Sequence, residues 1–240
     1  MTYSSPNPKL KEGMPMLEST RMLPRYEAVR ANENGQRMYQ TPEGKFASVT
    51  TILSNTKDNR GIQLWRESIG DKAADRILKL ACLRGDATHL NVENWLTTGQ
   101  EPTDLNFFTE SYWKSIRPFL DEVGKPLLIE GAVWNSKDRY AGTLDCIATM
   151  KESGDEPILL DWKTSDRPKK KDRLYDYSLQ CAAYVRAANY VYANLGLEIK
   201  KAKIVIAIAD QQHQVETLGE DALDQLYTHF KARVIRFTKT

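Results

Sequence analysis

The chain predicts a mixed α/β fold, a central sheet flanked by helices with an N-terminal hairpin and a helical insertion. Three observations carry this. Helical periodicity runs over residues 62–80, three apolar strand-like runs follow between 126 and 161, and a helix–strand–helix run closes the chain after 174. At 240 residues the chain suits one such domain, or one with a small appendage, and can bury a substantial core.

Residues 1–25 hold Ser, Pro, Lys and Met without periodicity and read as a loose arm, although Met14, Met16 and Leu17 could dock on the body. The single domain then spans 26–240. Its first elements are a hairpin: strand 37–40, the turn Thr41-Pro-Glu-Gly44, and a strand over 45–53. Ile62, Trp65, Ile69, Ala73, Ile77 and Leu80 recur at three- and four-residue spacing, as on one helix face. Arg84-Gly85 interrupts that pattern. A second helix is expected from Asp86, carrying His89, Val92, Glu93 and Leu96 and stopping at Gly99, and a third over 105–123. Strands follow over 126–134, 139–150 and 157–161, then a basic loop holding Lys169, Lys170, Lys171 and Arg173. A helix over 174–195, a buried strand over 203–209 and a helix over 221–237 complete the chain.

Basic and acidic residues nearly cancel, at a net charge of +2, so any nucleic-acid-binding surface must be local. Cys82, Cys146 and Cys181 lie far apart, too few for a four-cysteine iron–sulfur cluster. With no signal peptide or long apolar run, they suggest a reducing interior and argue against secretion or membrane insertion.

The chemistry centres on Gly142-Thr-Leu-Asp145 and Leu160-Asp161-Trp-Lys163. Each carboxylate sits within an apolar strand pattern, where unpaired charge is costly. In a strand Asp161 and Lys163 share a face and Trp162 takes the other. The turn at 151–156 can bring Asp145 beside Asp161. Two close carboxylates repel unless a cation lies between them, and oxygen ligands suit magnesium or manganese. An ammonium on the same face could orient an attacking water, giving a site for metal-assisted phosphodiester hydrolysis. Taken alone, a D-x-K triplet is more often a surface salt bridge.

Six motifs occur in order: Ser48-Val-Thr-Thr-Ile-Leu53, Arg84-Gly-Asp-Ala-Thr-His89, Glu130, Gly142-Thr-Leu-Asp145, Asp161-Trp-Lys-Thr-Ser165 and Gln180-Cys-Ala-Ala-Tyr184. With these the chain resembles the PD-(D/E)XK nuclease superfamily, in its RecB-like exonuclease branch. Within that branch it looks most like the mitochondrial genome maintenance and related phage exonucleases. The resemblance implies a restriction-endonuclease-like core and one or two Mg2+ or Mn2+ ions. Asp145, Asp161, His89 and the Trp162 carbonyl are the implied metal ligands, and Lys163 the residue that positions water and stabilises charge. It makes Glu130 an accessory ligand or a supporting acid, and Gln180 and Tyr184 contacts to the DNA backbone. Arg84, Ser165, Lys169, Lys170, Lys171 and Arg173 are further DNA contacts, the basic loop being otherwise a solvated face.

The implied activity is a metal-dependent DNA exonuclease preferring single strands, acting in DNA replication, recombination, repair or phage DNA metabolism. Its partners would be DNA and replication or recombination proteins, in the cytoplasm of a bacterial or phage-infected cell or in an organelle. The alternatives are a duplex-specific exonuclease, a structure-specific endonuclease, or a silent DNA-binding module. Residue by residue, His89 could be a surface or capping histidine and Tyr184 a core residue. Trp65, Trp95 and Trp113 could stack on bases but more often serve helix packing. The helices over 62–123 are candidates for an arch above the site.

Overall fold

The computed structural model describes residues 22–239. Most of the stretch read as a loose arm, including Met14, Met16 and Leu17, lies outside the described residues. At its described end the stretch is docked rather than loose: Leu23 is buried and its N–H donates to Leu127 O at 2.7 Å.

Among the described residues eight strands form one sheet. They are β1 (Val29–Glu33), β2 (Gln36–Thr41), β3 (Gly44–Ser48), β4 (Val123–Asn135), β5 (Tyr140–Met150), β6 (Ile158–Ser165), β7 (Lys201–Ile208) and β8 (Gln214–Leu218). Their order is β1-β2-β3-β5-β6-β7-β8, and β4 pairs with β5 outside that path. β6 and β7 run parallel, as a crossover helix between them requires. Six α-helices among the described residues accompany the sheet: α1 (Val49–Thr56), α2 (Arg60–Ile69), α3 (Asp71–Thr98), α4 (Phe107–Leu120), α5 (Tyr175–Val191) and α6 (Glu220–Phe237).

β7 shows how the layers are built. Ile204, Ile206 and Ile208 enter the core shared with α5 and α6, while Val205 and Ala207 enter the core shared with α4. The two-residue period of a strand serves both faces at once. In β6 the same alternation turns Ile158, Leu160 and Trp162 towards α4 and Leu159 towards α5. Asp161 and Lys163 therefore share the α5 side, opposite Trp162.

Several expected elements differ. Val49-Thr-Thr-Ile-Leu53 is helical rather than the end of a strand, because Ser48 caps it by accepting the Thr51 N–H at 2.9 Å. The helix break lies at Gly70, whose φ of +83° suits glycine, and α3 runs unbroken through Arg84-Gly85. A Cβ at residue 85 would lie 3.9 Å from Thr164 Oγ1, an ordinary contact, where α3 passes beside β6. β1 and β8 are additional strands; β1 turns into β2 through Asn34-Gly35, a dipeptide suited to that hairpin.

α4 buries Tyr112, Trp113, Ile116 and Phe119 against the sheet, so it is a packing helix rather than part of an arch. α2 buries no residue and the first half of α3 only Ala74, so these stand away from the sheet, while the second half of α3 buries Thr88 and Val92. Trp113 is buried and Trp95 packs edge-on against it at 6.3 Å, which is the packing role. No helix among the described residues is long and apolar enough to cross a membrane.

Candidate active site

The β5–β6 register brings the two aspartates together. Cys146 pairs with Leu160 and Ile147 with Leu159, so Asp145 and Asp161 come next across the strands. On the other side of β5, the pairs Ile129–Cys146 and Gly131–Leu144 bracket Glu130 opposite Asp145. Three carboxylates thus lie in a row across β4, β5 and β6. α3 delivers His89 to the same place: Nδ1 lies 3.6 Å from Asp145 Oδ1 and 3.9 Å from Glu130 Oε1.

The peptide of Trp162 fixes two of these groups. Its N–H donates to Asp145 Oδ2 at 2.7 Å, and its carbonyl lies 2.9 Å from His89 Nε2. With Nε2 donating to that carbonyl, neutral His89 turns its Nδ1 lone pair towards the acids. The Trp162 carbonyl also accepts from Lys163 Nζ at 3.2 Å. Lys163 Nζ forms an ion pair with Asp161 Oδ2, while Asp161 Oδ1 has no hydrogen-bond donor among the described residues.

Electrostatics show excess negative charge. Burial works against a charged His89, but Asp145, Glu130 and Asp161 overcome it and raise the imidazole to about 8. Burial pushes Asp161 up to about 6, against the pull of Lys163 and with a push from Asp145. Burial would lower Lys163, but Asp161 and Asp145 hold its ammonium above the usual lysine range. A site that raises a histidine and an aspartic acid together is short of positive charge.

A divalent cation fits that description. His89, Glu130 and Asp145 offer ligand atoms all within 4.8 Å of one another, and beside them lies the buried Asp161 carboxylate, whose Oδ1 has no hydrogen-bond donor among the described residues. The donor set of one imidazole nitrogen and carboxylate oxygens suits manganese or magnesium.

Glu130 holds its place at a backbone cost, with φ of +49°. Glu130→Gly and Glu130→Ala both remove the carboxylate, but only alanine keeps the left-handed penalty. Glycine is therefore expected to be the more stable variant by about 1 kcal/mol, read from paired denaturant titrations. Equal stabilities would remove the strain from this account.

Gln180 and Tyr184 lie on α5, facing the β5–β6 pair. Tyr184 is buried, close against Gly142. Arg84 and Ser165 are engaged elsewhere. Arg84 Nη1 lies 2.5 Å from Asp166 Oδ1, which Tyr112 also contacts at 2.7 Å, and Ser165 Oγ donates to Arg167 O at 2.7 Å. In the basic loop Lys170, Lys171 and Arg173 are exposed and Lys169 is half-buried. A residue the sequence reading passed over is Tyr177, whose ring centroid lies 5.3 Å from Lys163 Nζ. Its signal is its place three residues before Gln180, on the same helix face.

Comparison with known proteins agrees with the motifs. No family model matches the chain. Mitochondrial genome maintenance exonuclease 1 of Mus musculus is 30% identical over 172 residues, 68% of this chain and 50% of that protein. The Homo sapiens protein is 26% identical over 203 residues, covering 80% of this chain and 58% of its own length. The Xenopus tropicalis protein is 27% identical over 180 residues, covering 70% and 50%. The chain thus spans about half the length of the curated relatives it matches. A crystal structure from Eubacterium rectale aligns over 64% of this chain and 66% of its own at 12% identity and a TM-score of 0.42, too loose to support more. By sequence, the chain is similar to the mitochondrial genome maintenance exonucleases, as its motifs imply.

Proposed function

We propose that this chain is a metal-dependent DNA exonuclease that takes single strands by their ends. The observation that carries the proposal is the buried Asp161 carboxylate, paired with Lys163 and set beside Asp145, Glu130 and His89. A silent binding module has no use for three carboxylates that would repel a phosphate. His89, Glu130, Asp145 and Asp161 would hold Mg2+ or Mn2+, which would supply Lewis acidity and make a bound water easier to deprotonate. Lys163 is placed to orient the attacking water and to balance charge developing on the phosphate. Gln180 and Tyr184 would steady the DNA backbone, with the basic loop drawing in the flanking phosphates. Replication or recombination proteins would supply strand separation in a reducing interior compartment.

End dependence rests on α2 and the first half of α3, which stand out from the sheet and lead to His89. A strand passing beneath them must be threaded. Linear single-stranded DNA is expected to be degraded with Mg2+ or Mn2+ and spared with a chelator, while circles of the same sequence persist. Circles cut as fast as linear strands would favour the endonuclease alternative. Duplex ends consumed faster than single strands would favour the duplex-specific one.

A further inference from the structure

We propose that Tyr177 is a positioning residue whose ring holds the ammonium groups of Lys163 and Lys169 towards one phosphate of the entering DNA strand. This rests on the nuclease reading and extends it to a residue that no motif includes. Tyr177 is half-buried on α5, on the face that carries Gln180 and Tyr184. Lys163 Nζ lies 5.3 Å from its ring centroid and Lys169 Nζ 6.0 Å, both within reach of the ring's negative face.

Lys163 is thereby held from three directions: by the Asp161 carboxylate, the Trp162 carbonyl and the Tyr177 ring. A lysine has four rotatable bonds, and each contact removes some of that freedom. Lys169 is the lysine of the basic loop whose place is fixed. Gln214 on β8 clamps its backbone, accepting from the Lys169 N–H at 2.8 Å and donating to its carbonyl at 2.8 Å. Lys171, by contrast, is 89% exposed along its side chain and only 4.0 Å from Glu216. An anion arriving beside the ring would be drawn by both ammonium groups. A DNA phosphate is the anion that the neighbouring carboxylates and Lys163 are arranged to process.

The test uses the full chain and four variants: Tyr177→Phe, Tyr177→Leu, Lys169→Ala and the Tyr177→Leu/Lys169→Ala pair. Turnover of linear single-stranded DNA with Mn2+ is expected to fall about 3- to 30-fold in Tyr177→Leu and to stay near wild type in Tyr177→Phe, which keeps the ring. In a chelator, anisotropy of a labelled single-stranded oligonucleotide should show Tyr177→Leu weakening affinity clearly in the Lys169 background and less once Lys169 is alanine, when only Lys163 is left for the ring to hold. Phenylalanine as damaging as leucine would make the hydroxyl the active group and overturn the proposal. So would unchanged turnover in Tyr177→Leu, or an equal affinity loss in both backgrounds. Tyr177→Met, which keeps bulk without a ring, takes the place of leucine if that variant does not fold. Should the wild type hydrolyse no DNA with any divalent ion, the nuclease reading fails, and the binding cycle still decides whether Tyr177 acts through Lys169.

Discussion

Asp145→Asn, Asp161→Asn and Lys163→Ala are each expected to lower DNA hydrolysis by at least about 10²–10³-fold, the loss seen when one preorganised charge-stabilising group is removed from a site. The three stand together because β5 and β6 pair in the register that sets the aspartates across from one another. Asp145→Asn is the cleanest of the set, since the amide oxygen can still accept the Trp162 N–H. It should also leave the fold intact. His89 and Asp161 both have raised folded pKa values, so the folded site favours protons more than the unfolded chain does. The sign is the same for both. The stability from His89 is full below its ordinary pKa and is lost as pH rises through about 8. That from protonated Asp161 is lost as pH rises through about 6. At pH 8 the metal-free site therefore carries uncompensated negative charge, and removing one unit of it should leave the melting temperature of Asp145→Asn at or above wild type. A variant that is inactive because it melts early would refute this, and wild-type rates in any of the three would remove that residue from the mechanism.

Gly142 is expected to tolerate nothing larger than hydrogen. A Cβ there would sit 2.7 Å from Tyr184 Cε1 and 3.0 Å from its hydroxyl, and the Tyr184 ring is buried with little room to retreat. Overpacking of this kind costs about 1–3 kcal/mol for alanine, and valine should cost more. Because Gly142 lies on β5 three residues before Asp145, the displacement reaches the carboxylates and activity should fall with stability. Denaturant midpoints of Gly142→Ala alone and with Tyr184→Ala check it: the second change should recover part of the loss caused by the first. Simple additivity would show that the clash is not with Tyr184.

The site was most legible where its chemistry is local. Asp145, Asp161 and Lys163 lie on adjacent strands joined by a short turn, and a period of two places their side chains without further information. The helical assignments failed where one signal imitated another. Val49-Thr-Thr-Ile-Leu53 has the β-branched content of a strand, and only the Ser48 cap turns it into α1. Arg84-Gly85 looks like a helix end, yet α3 accepts the roughly 1 kcal/mol cost of a mid-helix glycine and lies close against β6. Contacts made only by the crossover geometry were out of reach. Tyr177 meets Lys163 because α5 packs beside the end of β6, and no spacing within either element encodes that distance.

The division of labour at Trp162 bears on how such a site can change over generations. Its indole lies in the core against Phe119, with ring centroids 6.1 Å apart, while its peptide group holds Asp145 on one side and His89 on the other. The side chain answers to packing and the backbone to chemistry. Residue 162 can therefore drift among large apolar side chains with every contact to Asp145 and His89 intact, since each is made by atoms that all residues except proline possess. Its neighbours Asp161 and Lys163, which act through their side chains, have no such latitude. A lineage can thus retune the core beneath the site one substitution at a time without passing through an inactive intermediate.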